Sequence, residues 1–472
     1  MTTKQQELLH LSAAEVVMKI RDQQITAVDY AKAVIAQAEK WKHLNAFITF
    51  SPDQLLRDAR RVDQKIERGE KVGLLAGLPF VVKDCINTAD YPTTSGTPSL
   101  AGFRPRQNAS AVQRLLNADA IVAGKTNLHE ICYGITSNNF FTGAVRNPYD
   151  QNMIAGGSSG GTGAAVGARI GVVGLGADTG GSIRIPAAHC GVAGLRPTVG
   201  RWPSGGMLPA SPTRETIGPI GRSVKDVALL DMIATGEVSV KLSSLKGVRL
   251  GVPKTSFWKD LDVETQKVAD ATLDKLRAAG VELIDVDMDE IMALDEKCGM
   301  VIAVFETPIA MSSYLISSDA GVTYEEVIDQ VKSPDVRAVT SKTMTISREK
   351  YRAAMEDRAQ MQLLYAQTWE KYGVAAVIFP TTPLPPRPIG QDQTVELNGK
   401  KVPTFPTYIR NTSPGSVAGV PGLTLPIGLT SSGLPVGLEI DSPAWHDREL
   451  LGIGLAIEKL LPRLPDPELN KE

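Results

Sequence analysis

Short apolar runs that alternate with helical segments predict an α/β fold, with a mostly parallel sheet covered by helices on both faces. Continuous apolar runs typical of buried strands lie at 78–82, 120–123, 172–175, 248–252, 375–379 and 423–427. Helical segments between and beyond them lie at 111–116, 159–169, 224–233, 264–279 and 348–369. The 472 residues show no obvious linker and no internal repeat. We therefore expect a single domain over residues 1–472.

The N-terminal segment, to about residue 68, is predicted to be helical. Ser12 and Glu15 have the spacing of a capping box, which opens a helix that ends near Asp22. Thr26 begins a second helix. The segment 51–54 begins a third, with serine as the N-cap and proline at the first helical position. Near the other end of the chain, seven prolines in the 27 residues 380–406 predict a long ordered loop and not a strand.

The overall composition excludes several classes of protein. Lys and Arg number 50 and Asp and Glu 52, for a net charge of −2, so the chain has no basic excess with which to bind nucleic acid. A hydrophobic content of 43% with 22% charged residues excludes a disordered chain. The four cysteines include no CxxC pair, which argues against a disulfide framework and a zinc site.

The first eleven residues lack the apolar core of a signal peptide. No apolar run approaches the roughly 18 residues that would span a bilayer. We therefore expect a cytoplasmic protein that binds neither nucleic acid nor membrane.

Glycine is concentrated in one region, with 16 glycines among the 51 residues 156–206. Glycine permits positive φ and close backbone approach, so we look for the functional site here. The segment 157–161 matches the G-x-S-x-G nucleophile elbow around Ser159, a mechanism that needs a later histidine, and only His446 lies in a plausible position.

A second mechanism needs no histidine, because a serine can also be activated by a neutral lysine. Lys83 ends the apolar run 78–82, where loss of hydration would favour the uncharged amine. On spacing alone, an equally good interpretation is that Lys83 extends to water or pairs with Asp84.

Three motifs resemble one known family. The segments Ile154–Ala168 and Leu175–Ala188, with Ser158 and Ser182 spaced 24 residues apart, are similar to the serine- and glycine-rich motifs of the amidase signature family. The segment Gly77–Asp84 matches that family's lysine motif, and the resemblance runs from about Leu11 to Glu458. It implies a mixed central β-sheet covered by helices on both faces, and an amide hydrolase without metal or cofactor.

The resemblance also implies roles for particular residues. Ser182 corresponds to the nucleophile, Ser158 to a bridging serine that follows a cis peptide bond, and Lys83 to the base. The backbone N–H groups of Thr179, Gly180, Gly181 and Ser182 correspond to the oxyanion hole.

Other residues near these motifs are expected at the substrate or in its support. Cys132 and Tyr133 match positions that line the family's substrate channel. We expect Ile135, Phe305 and Ile309 near the channel on weaker grounds, with core packing as the alternative for all five. Asp178 and Arg184 are expected to form a structural ion pair beside the nucleophile.

Within the family, several segments look most similar to the indoleacetamide and mandelamide hydrolases; they include Tyr133–Asn139, Gly143–Pro148 and Ser211–Thr216. This implies hydrolysis of an aryl- or arylacetamide-type primary amide to the acid and ammonia. Three alternatives stay open: a glutamine-hydrolysing amidotransferase A-type subunit, an amidase of anilides, carbamates or other xenobiotics, and a catalytically silent scaffold. Family members are often dimers, so we expect a homodimer in which the N-terminal segment packs on the second subunit.

Overall fold

A computed structural model describes residues 2–242, 244–343 and 345–469. Its strands are β1 (Phe47–Phe50), β2 (Pro79–Lys83), β3 (Ile121–Thr126), β4 (Asn138–Asn139), β5 (Gly143–Ala144), β6 (Val173–Asp178), β7 (Ala193–Arg196), β8 (Thr216–Gly221), β9 (Arg249–Val252), β10 (Glu282–Asp285), β11 (Ala376–Pro380), β12 (Thr394–Leu397), β13 (Lys400–Pro403), β14 (Gly422–Leu429) and β15 (Pro435–Asp441).

Its helices are α1 (Thr3–Leu9), α2 (Ala13–Arg21), α3 (Ala27–Lys40), α4 (Pro52–Glu67), α5 (Ser110–Asn117), α6 (Gly160–Gly167), α7 (Arg184–His189), α8 (Val224–Thr235), α9 (Val263–Ala278), α10 (Asp289–Ser317), α11 (Tyr324–Gln330), α12 (Pro334–Thr340), α13 (Arg348–Tyr372), α14 (Thr404–Ile409), α15 (Ser413–Ala418) and α16 (Asp447–Leu460). Short 3₁₀ turns lie at Lys42–Leu44, Pro98–Leu100 and Glu130–Cys132.

Eleven strands form one central sheet, in the order β1-β3-β2-β6-β8-β7-β14-β15-β11-β9-β10. Neighbours pair in parallel only at β2 with β3, β2 with β6, β9 with β10 and β9 with β11, and the other six pairs are antiparallel. The mixed sheet flanked by helices confirms the predicted fold class. The expectation of a mostly parallel sheet is wrong, because β7, β8 and β15, which were not among the predicted strands, pair antiparallel with all of their neighbours.

The predicted N-terminal helices are present with their predicted caps. The hydroxyls of Ser12, Thr26 and Ser51 each accept a backbone N–H in the first turn of α2, α3 and α4. The segment 1–68 is not wholly helical, however, because β1 pairs antiparallel with β3 at the sheet edge. Buried side chains of these helices, such as Val16 and Tyr30, belong to the same apolar cluster as β2 and β3.

The proline-rich segment 380–406 differs from the predicted loop, since β12 and β13 form a hairpin inside it. The turn residues Asn398 and Gly399 have φ of 51° and 78°. Two consecutive positive φ values are those of a type I′ turn, for which Asn-Gly is the preferred sequence. The Asn398-Gly399 dipeptide therefore favours a hairpin at this point, although the many prolines of the segment favour a loop.

Helix α10 was not predicted and is the longest in the described chain, with 29 residues. One 18-residue window of α10 has a mean hydropathy of 1.5, so by length and composition alone this helix could cross a membrane, although it contains no continuous apolar run of that length. Half of that window is buried inside the described structure, and α10 packs against α13 and α15. Core helices pass the same test of length and composition, so the helix alone is weak evidence for a membrane span.

Candidate active site

The site begins at the carboxyl ends of two central strands. Because β2 and β6 are parallel neighbours, their carboxyl ends meet at one edge of the sheet. Lys83 is the last residue of β2, and the loop that carries Ser182 follows β6. The local sequence thus fixes where Lys83 stands in its strand, and the strand pairing brings it to the serine loop.

Lys83 and Ser158 are in direct contact. The Nζ of Lys83 lies 2.7 Å from the Oγ of Ser158 and 3.4 Å from the carbonyl oxygen of Ala177. Both side chains are fully buried. The pair can therefore exchange a proton without intervening water.

Ser158 stands in a tight turn before α6, and the Gly157–Ser158 peptide bond is cis. The start of α6 packs closely against its neighbours, so that a Cβ added to Gly161 would lie only 2.4 Å from the carbonyl oxygen of Asn127. The N–H of Ser159 donates to the carbonyl of Ser182 at 3.1 Å. That bond holds the Ser158 turn against the loop that carries Ser182.

The backbone of residues 178–182 is held in place by donors to every carbonyl. The carbonyls of Asp178, Thr179 and Gly180 accept from Arg196 at 2.7 Å, Arg214 at 2.7 Å and Thr412 at 2.6 Å. Those of Gly181 and Ser182 accept from the N–H groups of Ile185 and Ser159.

The N–H groups of the same loop divide into two sets. That of Gly181 donates to the Asp178 carboxylate at 2.8 Å and is therefore already engaged. Within the described part of the chain, no acceptor takes the N–H groups of Thr179, Gly180 or Ser182. These three donors are therefore unengaged in the described structure.

A buried ionic network supports this loop. Arg184 binds Asp178 at 3.1 Å and Glu439 at 2.9 Å, and Arg196 lies 3.3 Å from Asp178. Burial alone would raise the pKa of Asp178, but the guanidinium groups of Arg184 and Arg196 hold it well below its usual range. Asp178 is thus a fixed anion that orients the loop, as the expected ion pair with Arg184 implies.

Ser182 opens onto a small cavity. Its predicted lining residues Cys132, Tyr133, Ile135, Thr179 and Gly180 are all present in the wall. Gly181 is not among the lining residues. The exposed surface of the wall is mostly apolar, and such a wall suits an aryl group.

Two weaker expectations are not met by this cavity. Phe305 lies outside the wall and stacks on Tyr351, with ring centroids 4.2 Å apart. Ile309 is 62% exposed on α10. The wall instead includes Arg214, Phe405 and Ile409, which sequence analysis missed. Arg214 lies within the segment Ser211–Thr216, but neither periodicity nor motif spacing indicates that its side chain, or those of Phe405 and Ile409, reaches the cavity.

Cys132 lies in a distorted turn with φ of 67°. Its interaction with the Cys85 thiol lowers the pKa of Cys132 below the usual value of a thiol. The Tyr133 hydroxyl hydrogen-bonds to Thr307, and burial raises the pKa of that phenol above its usual range. Cys132 therefore adjoins the Lys83–Ser158 pair, while Tyr133 forms a neutral part of the cavity wall.

The alternative nucleophile elbow is not assembled. Ser159 is fully buried and its hydroxyl donates to the carbonyl of Ala177 at 3.3 Å. His446 is exposed at the N-cap of α16. Ser159 therefore has no histidine to activate it from that position.

Among the described residues, no group of three or more His, Cys, Asp or Glu side chains is arranged to hold a metal ion.

A buried lysine–serine pair lies beside a second serine on a loop with unengaged N–H groups, at an apolar cavity, and such an arrangement suits hydrolase chemistry. Comparison with known proteins gives the particular family. The amidase family model matches residues 29–451. The chain is 40% identical to an indoleacetamide hydrolase of Agrobacterium vitis over 95% of its own length and 97% of the relative's.

Other relatives agree with this match. A mandelamide hydrolase of Pseudomonas putida is 37% identical, over 98% of this chain and 94% of that one. The crystal structure of a peptide amidase from Stenotrophomonas maltophilia superimposes with a TM-score of 0.85, at 26% identity over 98% and 99% of the two chains. The protein belongs to the amidase signature family and is an amide hydrolase similar to the indoleacetamide and mandelamide hydrolases.

Proposed function

We propose that this enzyme hydrolyses an aryl- or arylacetamide-type primary amide to the carboxylic acid and ammonia, through an acyl-enzyme on Ser182. The observation that carries the proposal is the 2.7 Å contact between Lys83 and Ser158 in full burial, beside the loop that presents Ser182. Support for the substrate comes from the apolar cavity wall and from relatives named indoleacetamide hydrolase and mandelamide hydrolase.

In the proposed mechanism, neutral Lys83 accepts the proton of the Ser158 hydroxyl, and Ser158 accepts that of Ser182. The Ser182 oxygen attacks the amide carbonyl and forms the C–O bond of a tetrahedral intermediate. The N–H groups of Thr179, Gly180 and Ser182 stabilise the negative charge on its oxygen. Gly181 was also expected to donate to this oxygen, but the proposed mechanism does not use its N–H, because that group donates to the Asp178 carboxylate.

Collapse of the intermediate breaks the C–N bond. The proton that Lys83 holds returns through Ser158 to the leaving nitrogen, which departs as ammonia. Water then attacks the acyl-enzyme and is deprotonated by the same route, releasing the acid and restoring the Ser182 hydroxyl. Each half-reaction uses the same proton path in opposite directions, so no metal or cofactor enters the proposal.

We propose that the chain acts as one domain over residues 1–472, as a homodimer with its N-terminal segment on the second subunit, and in the cytoplasm. Cross-linking and sedimentation of the purified protein test the dimer.

The experiment is ammonia release from indole-3-acetamide, phenylacetamide, mandelamide and glutamine, with an anilide assayed for aniline. Ser182→Ala, Ser158→Ala and Lys83→Met are each expected to reduce turnover at least about 10³-fold, as loss of members of a catalytic triad does. Ser159→Ala is the matched control, because Ser159 is equally buried one residue from Ser158, but among the described residues its hydroxyl hydrogen-bonds only to the Ala177 backbone.

The outcomes separate the alternatives. Ser182-dependent turnover of the aryl amides supports the proposal. Turnover of glutamine alone would instead indicate an amidotransferase subunit. A glutamyl-tRNA(Gln) amidotransferase A-type subunit of Chlorobium phaeobacteroides, 32% identical to this chain, makes that the second candidate. Preference for the anilide would place the substrate among substituted amides. A folded protein inactive on every compound would overturn the proposal.

A further inference from the structure

Arg214 connects three segments around the cavity and is 3% exposed. Its Nε donates to the carbonyl of Thr179 at 2.7 Å, and one terminal nitrogen donates to the carbonyl of Gly299 at 2.8 Å. The other terminal nitrogen donates to the hydroxyl of Ser413 at 3.1 Å. The planar guanidinium is therefore fixed in three directions by α10, α15 and the Ser182 loop.

The bond to Thr179 sets the orientation of one peptide unit. In a trans peptide the C=O and N–H point in opposite directions within one plane. Because the Thr179 carbonyl is turned toward Arg214, the Gly180 N–H of the same peptide is turned away from it. Among the described residues no acceptor takes this N–H.

Within the described chain, no hydrogen bond other than that of Arg214 opposes a rotation of this peptide. The Gly180–Gly181 peptide, by contrast, is held at both ends, by Thr412 on its carbonyl and by Asp178 on its N–H. Among the described residues, Arg214 is the donor to the Thr179 carbonyl. A cation that donates to a peptide carbonyl also polarises that peptide and makes its N–H a stronger donor.

We propose that Arg214 is a positioning residue for the reaction: it fixes the Thr179–Gly180 peptide so that the Gly180 N–H is aimed at the oxyanion. The inference rests on the proposed function, because it assigns the Gly180 donor to the oxyanion formed on the Ser182 adduct. Arg214 acts through the peptide and takes no proton from the substrate.

Two other roles make different predictions. If Arg214 contacted the substrate in the ground state, its loss would raise KM and leave kcat near the wild-type value. If it served only the fold, its loss would lower stability without changing the ratio of transition-state to ground-state affinity. A positioning role lowers kcat and leaves KM nearly unchanged, because the oxyanion exists only in the transition state.

The test compares Arg214→Ala and Arg214→Lys with wild type on the best aryl amide. Loss of one oxyanion donor lowers kcat by about 10²–10³-fold, so we expect a fall of about that size in Arg214→Ala, with KM changed less than about threefold. We expect Arg214→Lys to recover part of the loss, since one ammonium can donate to Thr179 but cannot bind all three acceptors. Added guanidinium ion should restore Arg214→Ala activity several-fold.

Arg249→Ala is the matched control. Arg249 also donates to two backbone carbonyls, those of Gly373 at 3.0 Å and Tyr372 at 2.9 Å, but it lies on β9 and not at the cavity. We expect its kcat to equal that of wild type and to be unaffected by guanidinium.

A transition-state readout completes the design. An arylmethyl boronic acid, which forms a tetrahedral anion on a serine, should lose affinity for Arg214→Ala by about the same factor as kcat, while the product acid binds as before. Equal losses for both ligands, unchanged kcat, or absence of guanidinium rescue would overturn the inference. A wild-type enzyme without Ser182-dependent turnover would overturn the proposed function itself, whereas an active wild type with fully active Arg214 variants refutes this inference alone.

Discussion

Replacing Gly181 by alanine adds a methyl group at the most crowded point of the Ser182 loop. The new Cβ would lie 2.2 Å from the Thr412 hydroxyl oxygen, 2.8 Å from the Thr412 Cβ and 2.9 Å from the Ile185 Cδ1. The φ of Gly181 is +134°, a backbone conformation that residues with a side chain rarely adopt. Both the backbone and the packing therefore oppose the substitution.

The expected cost follows from these two terms. A residue held in a sparsely populated backbone region costs about 1–3 kcal/mol. Overpacking of a filled interior costs about 1–3 kcal/mol. We expect Gly181→Ala to lower the free energy of unfolding by about 2–6 kcal/mol. Displacement of Thr412 would also remove its hydrogen bond to the Gly180 carbonyl, and kcat should fall with it.

The assay is urea unfolding, together with kcat on the best aryl amide. Thr412→Ala removes the oxygen at 2.2 Å, so the double variant should be less destabilised than the sum of the single variants by about 1 kcal/mol or more. Gly102→Ala is the control, with no heavy atom within 4 Å of its new Cβ and an effect expected within about 0.5 kcal/mol. Wild-type stability in Gly181→Ala, or strict additivity with Thr412→Ala, would refute the reasoning.

Three further predictions concern stability and specificity. Burial raises the pKa of Glu458 from 4.5 to about 7, so the folded state binds this proton more tightly and wild-type stability falls as pH rises through that window. As pH rises from 4.5 to about 8, the unfolding free energy of Glu458→Gln should increase relative to that of wild type by up to about 3 kcal/mol. Urea unfolding measures both, and parallel pH profiles of the two proteins would contradict this. Arg184→Met removes the guanidinium that pairs with Glu439 and one of the two that pair with Asp178, so it should lower the unfolding free energy by about 3–5 kcal/mol; an unchanged urea midpoint would disprove this. Ile409→Ala enlarges the cavity and should shift the kcat/KM ratio toward naphthylacetamide over phenylacetamide by about 10-fold, while the exposed Ile309→Ala should leave the ratio unchanged.

The sequence predicted correctly those strands and helix caps that depend on interactions between residues close together in the chain. All the predicted strands overlap strands of the central sheet, namely β2, β3, β6, β9, β11 and β14. The hydroxyl caps of α2, α3 and α4 lie where the capping residues predicted them. Apolar runs and caps report on interactions within a few residues, and those interactions are present in any fold that the segment adopts.

The candidate site divides in the same way. The apolar run before Lys83 predicts its position at a strand end. It does not predict whether Lys83 contacts a serine or pairs with Asp84. That choice depends on Ser158, which is 75 residues away in the chain and 2.7 Å away in space. The resemblance to the amidase signature family supplied the partner that periodicity could not.

The sequence by itself determined the α/β class, the residues that end β2 and cap the helices, and the two serine motifs. Tertiary structure alone decided the strand directions, the cavity wall and the division of the loop's N–H groups between Asp178 and free donors. Arg214 shows why, since its three acceptors come from three segments between 35 and 199 residues distant. No local pattern encodes such a meeting, because it exists only after the sheet and helices have packed.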